Sequence, residues 1–124
     1  MKGLPSAVNL TPLIGRFIEV LRISKYQVHY FLNDDKPNGP DVWIEIGGTI
    51  TYTDDAGKTT DINDFRMNGG LLCLLLGLKV EDAFRLQDGG LGLKLATGIR
   101  LEVPIETPMY ESVVLHIGAE TIVG

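Results

Sequence analysis

The chain has 124 residues, 44% hydrophobic and 22% charged, enough for a single domain with a real core and too apolar for wholesale disorder. Sixteen acidic against eleven basic side chains give a net charge of -5, which excludes the phosphate-neutralising surface that nucleic acid or an anionic membrane requires. Such a charge first of all keeps a protein soluble, and the partner it would suit is a basic protein; the single cysteine, Cys73, excludes an intrachain disulfide.

Residues 1–12 carry Gly3, Pro5 and Pro12 with little periodicity, which predicts a loosely held N-terminal arm. That stretch has no apolar core of signal-peptide type, and the longest apolar run, residues 71–78, is far short of a bilayer span. The expected location is the cytoplasm. Residues 15–23 have apolar side chains on both parities, as in a strand covered on both faces. In residues 26–32, Tyr26, Val28, Tyr30 and Leu32 alternate with Gln27, His29 and Phe31, the period of a half-buried strand. Residues 33–40 concentrate Asn, Asp, Pro and Gly into a long hairpin loop that carries the carboxylates of Asp34 and Asp35. Alternation resumes with Val42, Ile44 and Ile46 opposite Trp43 and Glu45; Gly47 and Gly48 then mark a bend before a threonine-rich strand at 49–53.

The polar stretch 59–70 contains helix-start residues, so a helix is expected to begin between Asp61 and Gly70, run through 71–76 and stop at Gly77. Six successive apolar residues leave it no polar face, which predicts a plug near 64–76 buried on nearly every side. Cys73 is accordingly expected as a small buried hydrophobe, not a nucleophile. Three strands follow, at 78–86, 91–96 and 99–103, joined by turns at Asp88-Gly89 and Thr97-Gly98. A further strand at 112–117 and a short edge at 121–123 complete the chain, and no internal repeat is evident. The fold class is mainly β, bordering on α+β: an antiparallel meander, or a partly open barrel or sandwich, with one short buried helix.

Little in this chain carries recognisable chemistry. The two histidines, His29 and His116, fall on different strands, and neither has ligands at metal spacing, so no metal or cofactor is predicted. They are expected as surface or half-buried imidazoles that meet only if their strands pair. Gly89-Gly90-Leu91-Gly92 fails as a phosphate loop, because Leu95 stands where the third glycine belongs and a strand follows. No nucleophile elbow occurs, and the expectation leans away from an enzyme with no catalytic residue assigned. Asp82 shares the parity of Val80, Phe84 and Leu86. It is an edge residue, bonded to a buried amide, or functional, unless a bulge at Glu81-Asp82 shifts its parity. Trp43, with Tyr26 and Phe31, is expected in the core; the competing reading is an aromatic patch beside the acidic loop.

Leu74-Leu75-Leu76-Gly77 followed by Val80, then Asp88-Gly89 with Leu91 and Leu93, then Gly98, Leu101 and Val103, then Tyr110-Glu111-Ser112, form an ordered set in the second half. In this order it resembles a family of small bacterial β-rich domains, some encoded beside toxins and regarded as immunity-protein-like. The resemblance implies a non-enzymatic protein-binding module with no catalytic residues, and it singles out the Tyr110-Glu111 pair. Together with the acidic charge it makes an immunity or antitoxin-like protein for a basic partner the leading expectation, with Asp34, Asp35, Trp43, Tyr110 and Glu111 as partner-binding candidates. Two other readings stand beside it. One is a small-molecule binder or enzyme with a site between sheet and helix, using Asp82, His29 or His116. The other is a self-associating subunit, a homodimer joined at its C-terminal strand edge.

Overall fold

The computed structural model describes residues 3–34, 39–105 and 112–124, and it resolves the alternating segments into two five-stranded antiparallel sheets. The first sheet runs β1 (Phe17–Ile23), β2 (Val28–Asn33), β3 (Val42–Ile46), β9 (Val113–Ile117) and β10 (Glu120–Val123). In the second the order is β5 (Thr59–Ile62), β4 (Ile50–Thr53), β8 (Arg100–Val103), β7 (Leu91–Leu95) and β6 (Val80–Arg85). One parity of each strand enters a common core: Val28, Tyr30, Ile44 and Leu115 from the first sheet, and Ile50, Leu93, Leu95 and Leu101 from the second. Burying these branched and aromatic side chains between two sheets is the main favourable term holding the sandwich together.

The two sheets are versions of one plan. β1, β2 and β3 form a meander in the first sheet and β4-β5 a hairpin in the second; β6, β7 and β8 form a meander in the second sheet and β9-β10 a hairpin in the first. Each half of the chain thus lends a hairpin to the other's meander. The correspondence extends to details. β1 and β6 each carry an irregularity against their partner, between Ile18 and Val20 and between Val80 and Asp82. Gly15 and Gly77 precede them with φ of 87° and 85°. Where β1 meets β6 the hydrogen bonds are reciprocal. Gly15 N donates to Val80 O (2.8 Å) and Gly77 N to Ile18 O (2.7 Å), while Val80 N donates to Arg16 O (2.7 Å) and Ile18 N to Leu78 O (2.9 Å). This is an approximate two-fold that seals one flank of the sandwich around a Phe17–Lys79 bridge.

The sequence carries a trace of this two-fold. Leu10, Leu13, Gly15 and Glu19 stand where Leu72, Leu75, Gly77 and Glu81 stand half a chain later, with Ile14 opposite Leu76 and Ile18 opposite Val80. Leu10, Leu13, Leu72 and Leu75 are all buried. The reading that no repeat exists is therefore corrected: the repeated positions are few, because only buried residues and the positive-φ glycines are constrained by the shared backbone.

Other expectations are refined. The helix α1 (Gly69–Cys73) is a little over one turn, shortened by the two glycines at its start and the lack of a side-chain cap at Asn68. The segment is a half-covered lid. Leu72 and Leu75, three apart, face the core, while Leu74 is 62% and Leu76 42% exposed, and Cys73 is exposed rather than buried. Thr59–Ile62, expected to lead into the helix, is instead strand β5, with Thr51 Oγ1 donating to Asp61 Oδ1 across the pair at 3.0 Å. The arm, expected to be loose, is tied down by Leu4 and Leu10 in the core and by a 2.7 Å bond from Leu4 N to Gly89 O.

Candidate functional site

Register fixes what each sheet turns outward. On the first sheet, antiparallel partners line up in two rows that cross all five strands. One row is Val20–Phe31–Trp43–His116–Thr121 and the other Arg22–His29–Glu45–Val114–Val123. The inward neighbours of these residues are the core, so their side chains stand on the solvent face. The equivalent rows of the second sheet are Asp82–Lys94–Arg100–Thr53–Thr59 and Phe84–Gly92–Glu102–Thr51–Asp61.

The outer face of the first sheet is organised around Trp43. The His116 ring stacks on it at 3.6 Å between centroids and 5° between planes, and Phe31 lies on its other side at 5.4 Å and 13°. His29 tilts against it at 5.5 Å, and the Arg22 guanidinium sits 5.5 Å from the Phe31 centroid. Stacked rings cover one another's faces and turn their edges outward, so the ladder suits a docked protein surface better than a planar ligand seeking a free ring face. Trp43 and Phe31 are thus half-buried on the outside, contrary to the core expectation; Tyr26 is exposed in the β1–β2 loop.

β3 brings the two histidines within reach of one carboxylate. His29 Nε2 lies 3.7 Å from Glu45 Oε1, and His116 Nε2 lies 3.5 Å from Glu45 Oε2. Neither approach is a hydrogen bond; His29 Nε2 instead lies 3.3 Å from Gln27 Oε1. Among the described residues no three His, Cys, Asp or Glu side chains are arranged to hold a metal ion. Glu45 was not among the sequence candidates. Its signal was parity: it alternates with the same buried residues as Trp43, and its strand pairs with the strands of both histidines.

The remaining candidates separate. Asp34 belongs to structure: its Oδ2 lies 3.6 Å from Arg16 Nη2, and the buried Arg16 also donates from Nε to Pro12 O at 2.7 Å. Asp35, Tyr110 and Glu111 lie outside the described residues. The Asp82 puzzle is resolved by the bulge after Val80, which turns Asp82 to solvent opposite Lys94, with Oδ1 accepting from Ala83 N at 2.9 Å. Asp82 and the two histidines therefore occupy outer faces of different sheets and do not line a common space between sheet and helix.

A broad open cleft of about 570 Å³ lies instead at the mouth of the sandwich, with Tyr52, Asp54, Leu71, Leu74, Thr97 and Ile99 in its walls. Its counterpart in the other half, about 300 Å³, is lined by Pro5, Val8, Pro12, Ile117 and Ile122 among others. Asp54 is occupied by its turn, Oδ1 accepting from the amides of Ala56 and Lys58 at 2.9 and 2.8 Å. Burial raises the Tyr52 phenol, with the Asp54 and Asp55 carboxylates adding to it. Burial drives the Tyr30 phenol up much further, with Cys73 and Tyr52 adding, while its hydroxyl donates to Leu72 O at 3.3 Å. Raised phenols that stay protonated serve as hydrogen-bond donors, and among the described residues no nucleophile–base pair converges in the cleft.

No helix among the described residues is long and apolar enough to cross a membrane. The chain matches no protein-family model, no curated protein and no solved structure.

Proposed function

We propose that this protein is a non-enzymatic binding module that docks a basic protein on the outer face of its first sheet, as an immunity or antitoxin-like protein would. The observation that carries the reading is the difference between two outer faces built on one backbone plan. Lys94, Arg100 and Thr53 occupy positions equivalent to Phe31, Trp43 and His116. At those positions the fold tolerates charged and polar side chains, with Arg100 lying over the Phe84 ring at 5.7 Å, so folding alone does not require Trp43 and its two stacked partners. A central Trp with stacked neighbours and a polar surround has the composition of an interface hot spot. The net charge of -5 favours a basic partner through long-range attraction.

The test is affinity capture from the native host with three baits: wild type, Trp43→Ala, and Arg100→Ala as the equivalent change on the other face. A basic protein retained by wild type and Arg100→Ala, and reduced at least about thirtyfold by Trp43→Ala, is the expected result. Equal recovery by all three baits, or no retained protein, overturns the reading. Self-association is the second reading, favoured by β10, which has no strand on its outer side among the described residues and carries the exposed Val123. A monomeric mass by light scattering across a concentration series removes it.

A further inference from the structure

We propose that Glu45 is the anchor of the docking face and that it receives an arginine side chain of the partner protein. This rests on the docking reading above and adds the chemistry of the contact.

The carboxylate of Glu45 is only 24% exposed, yet among the described residues no donor makes a hydrogen bond to it; its nearest ring nitrogens are those of the two imidazoles, at 3.7 and 3.5 Å. Aspartates elsewhere on the surface are engaged. Asp54 accepts from two turn amides, Asp61 from Thr51, Asp64 from the amide of Arg66, and Asp88 from the amides of Gly90 and Ile105. The counterpart of Glu45 on the second sheet is Glu102, also half-buried, flanked across its row by Gly92, which the Phe84 ring covers, and by Thr51. Glu45 is flanked in its row by His29 and Val114, with Trp43 on the same strand face. A half-desolvated carboxylate without donors is costly in the free protein, and a docked cation that supplies donors removes that cost.

Two features select guanidinium over ammonium. Both oxygens of Glu45 lack a donor, and a planar fork supplies two parallel N–H groups to one carboxylate, whereas an ammonium is a hydrated point charge. The surround is also aromatic, and the face already accommodates a guanidinium against a ring, Arg22 over Phe31 at 5.5 Å.

Trp43 is the only tryptophan of the chain, so its fluorescence reports directly on this face. The intact protein is titrated at low salt with a tryptophan-free hexa-arginine peptide and, separately, with hexa-lysine. Saturable change with hexa-arginine is expected, at least about fivefold tighter than with hexa-lysine. Glu45→Gln should weaken hexa-arginine about tenfold with an unchanged far-ultraviolet spectrum, while Glu102→Gln, which removes the same charge from the other face, should bind as wild type. Equal affinities for the two peptides, equal effects of the two substitutions, or no response at all overturns the assignment. A captured partner that depends on Trp43 but binds Glu45→Gln as it binds wild type would remove the arginine site and leave the docking face standing.

Discussion

The first sheet turns Phe31, Trp43, His116 and His29 outward; at the equivalent positions the second has Lys94, Arg100, Thr53 and Gly92, the last covered by the Phe84 ring. Inside, the two sheets are largely alike, packing mostly Val, Ile and Leu at matching positions into one core. Their buried faces answer to the same packing constraint, while their outer faces answer to whatever lies beyond the protein. A fold of two matching halves carries its own control: where the halves agree the cause is structural, and at Trp43 against Arg100 folding does not demand the aromatic side chain.

The largest effect tests the agreement. Leu13 and Leu75 are equivalent and fully buried, so Leu13→Ala and Leu75→Ala should each cost about 2–5 kcal/mol and should differ by no more than about 1 kcal/mol in denaturant unfolding. A difference of half the larger value or more would break the equivalence of the halves. A smaller effect tests a point where the cores differ, Tyr30 in the first sheet against Leu93 in the second. Tyr30→Phe loses the hydroxyl bond to Leu72 O and should cost about 1 kcal/mol at neutral pH.

The same substitution changes the response to alkali. Burial holds the folded phenol above its unfolded value of 10.0, so its contribution is complete below that pH and is lost as pH rises above it. Wild type should therefore lose up to about 1.4 kcal/mol per pH unit above pH 10 on account of this group, and Tyr30→Phe should show a shallower fall in urea midpoints. The smallest effect concerns the turns. Thr97, at the β7–β8 turn, is the only non-glycine among the described residues with positive φ, at 73°. Thr97→Gly should raise stability by about 0.5–1 kcal/mol, read as a higher melting temperature.

The strands were legible because period-2 alternation is imposed by a two-layer core, and residues 91–103 show it plainly. The bulge at Asp82 was legible as an alternative, since a carboxylate in apolar parity demands either a partner or a shift of register. The helix was overread. Six apolar residues in a row argue for full cover only when no second element uses some of them, and here Leu74 and Leu76 stay outside. The two-fold was not legible because its trace is spread over residues such as Leu13 and Gly15, half a chain from their partners. The site was half legible. Trp43, His29 and His116 were singled out separately, but the link through Glu45 depends on β9 pairing with β3, a long-range contact that parity within one strand does not reveal.

The exchange of hairpins between the halves also sets the order in which the chain becomes protected during synthesis. β1 to β3 emerge as a meander whose inner edge, at β3, is completed only by β9, and β4 likewise waits for β8. Until the second half has been made, a nascent chain exposes an unpaired strand and the apolar face meant for the other sheet. The contacts that close the sandwich span large sequence separations and therefore form slowly. Chaperone engagement should therefore be concentrated in the interval after β5 leaves the ribosome and before β9 does.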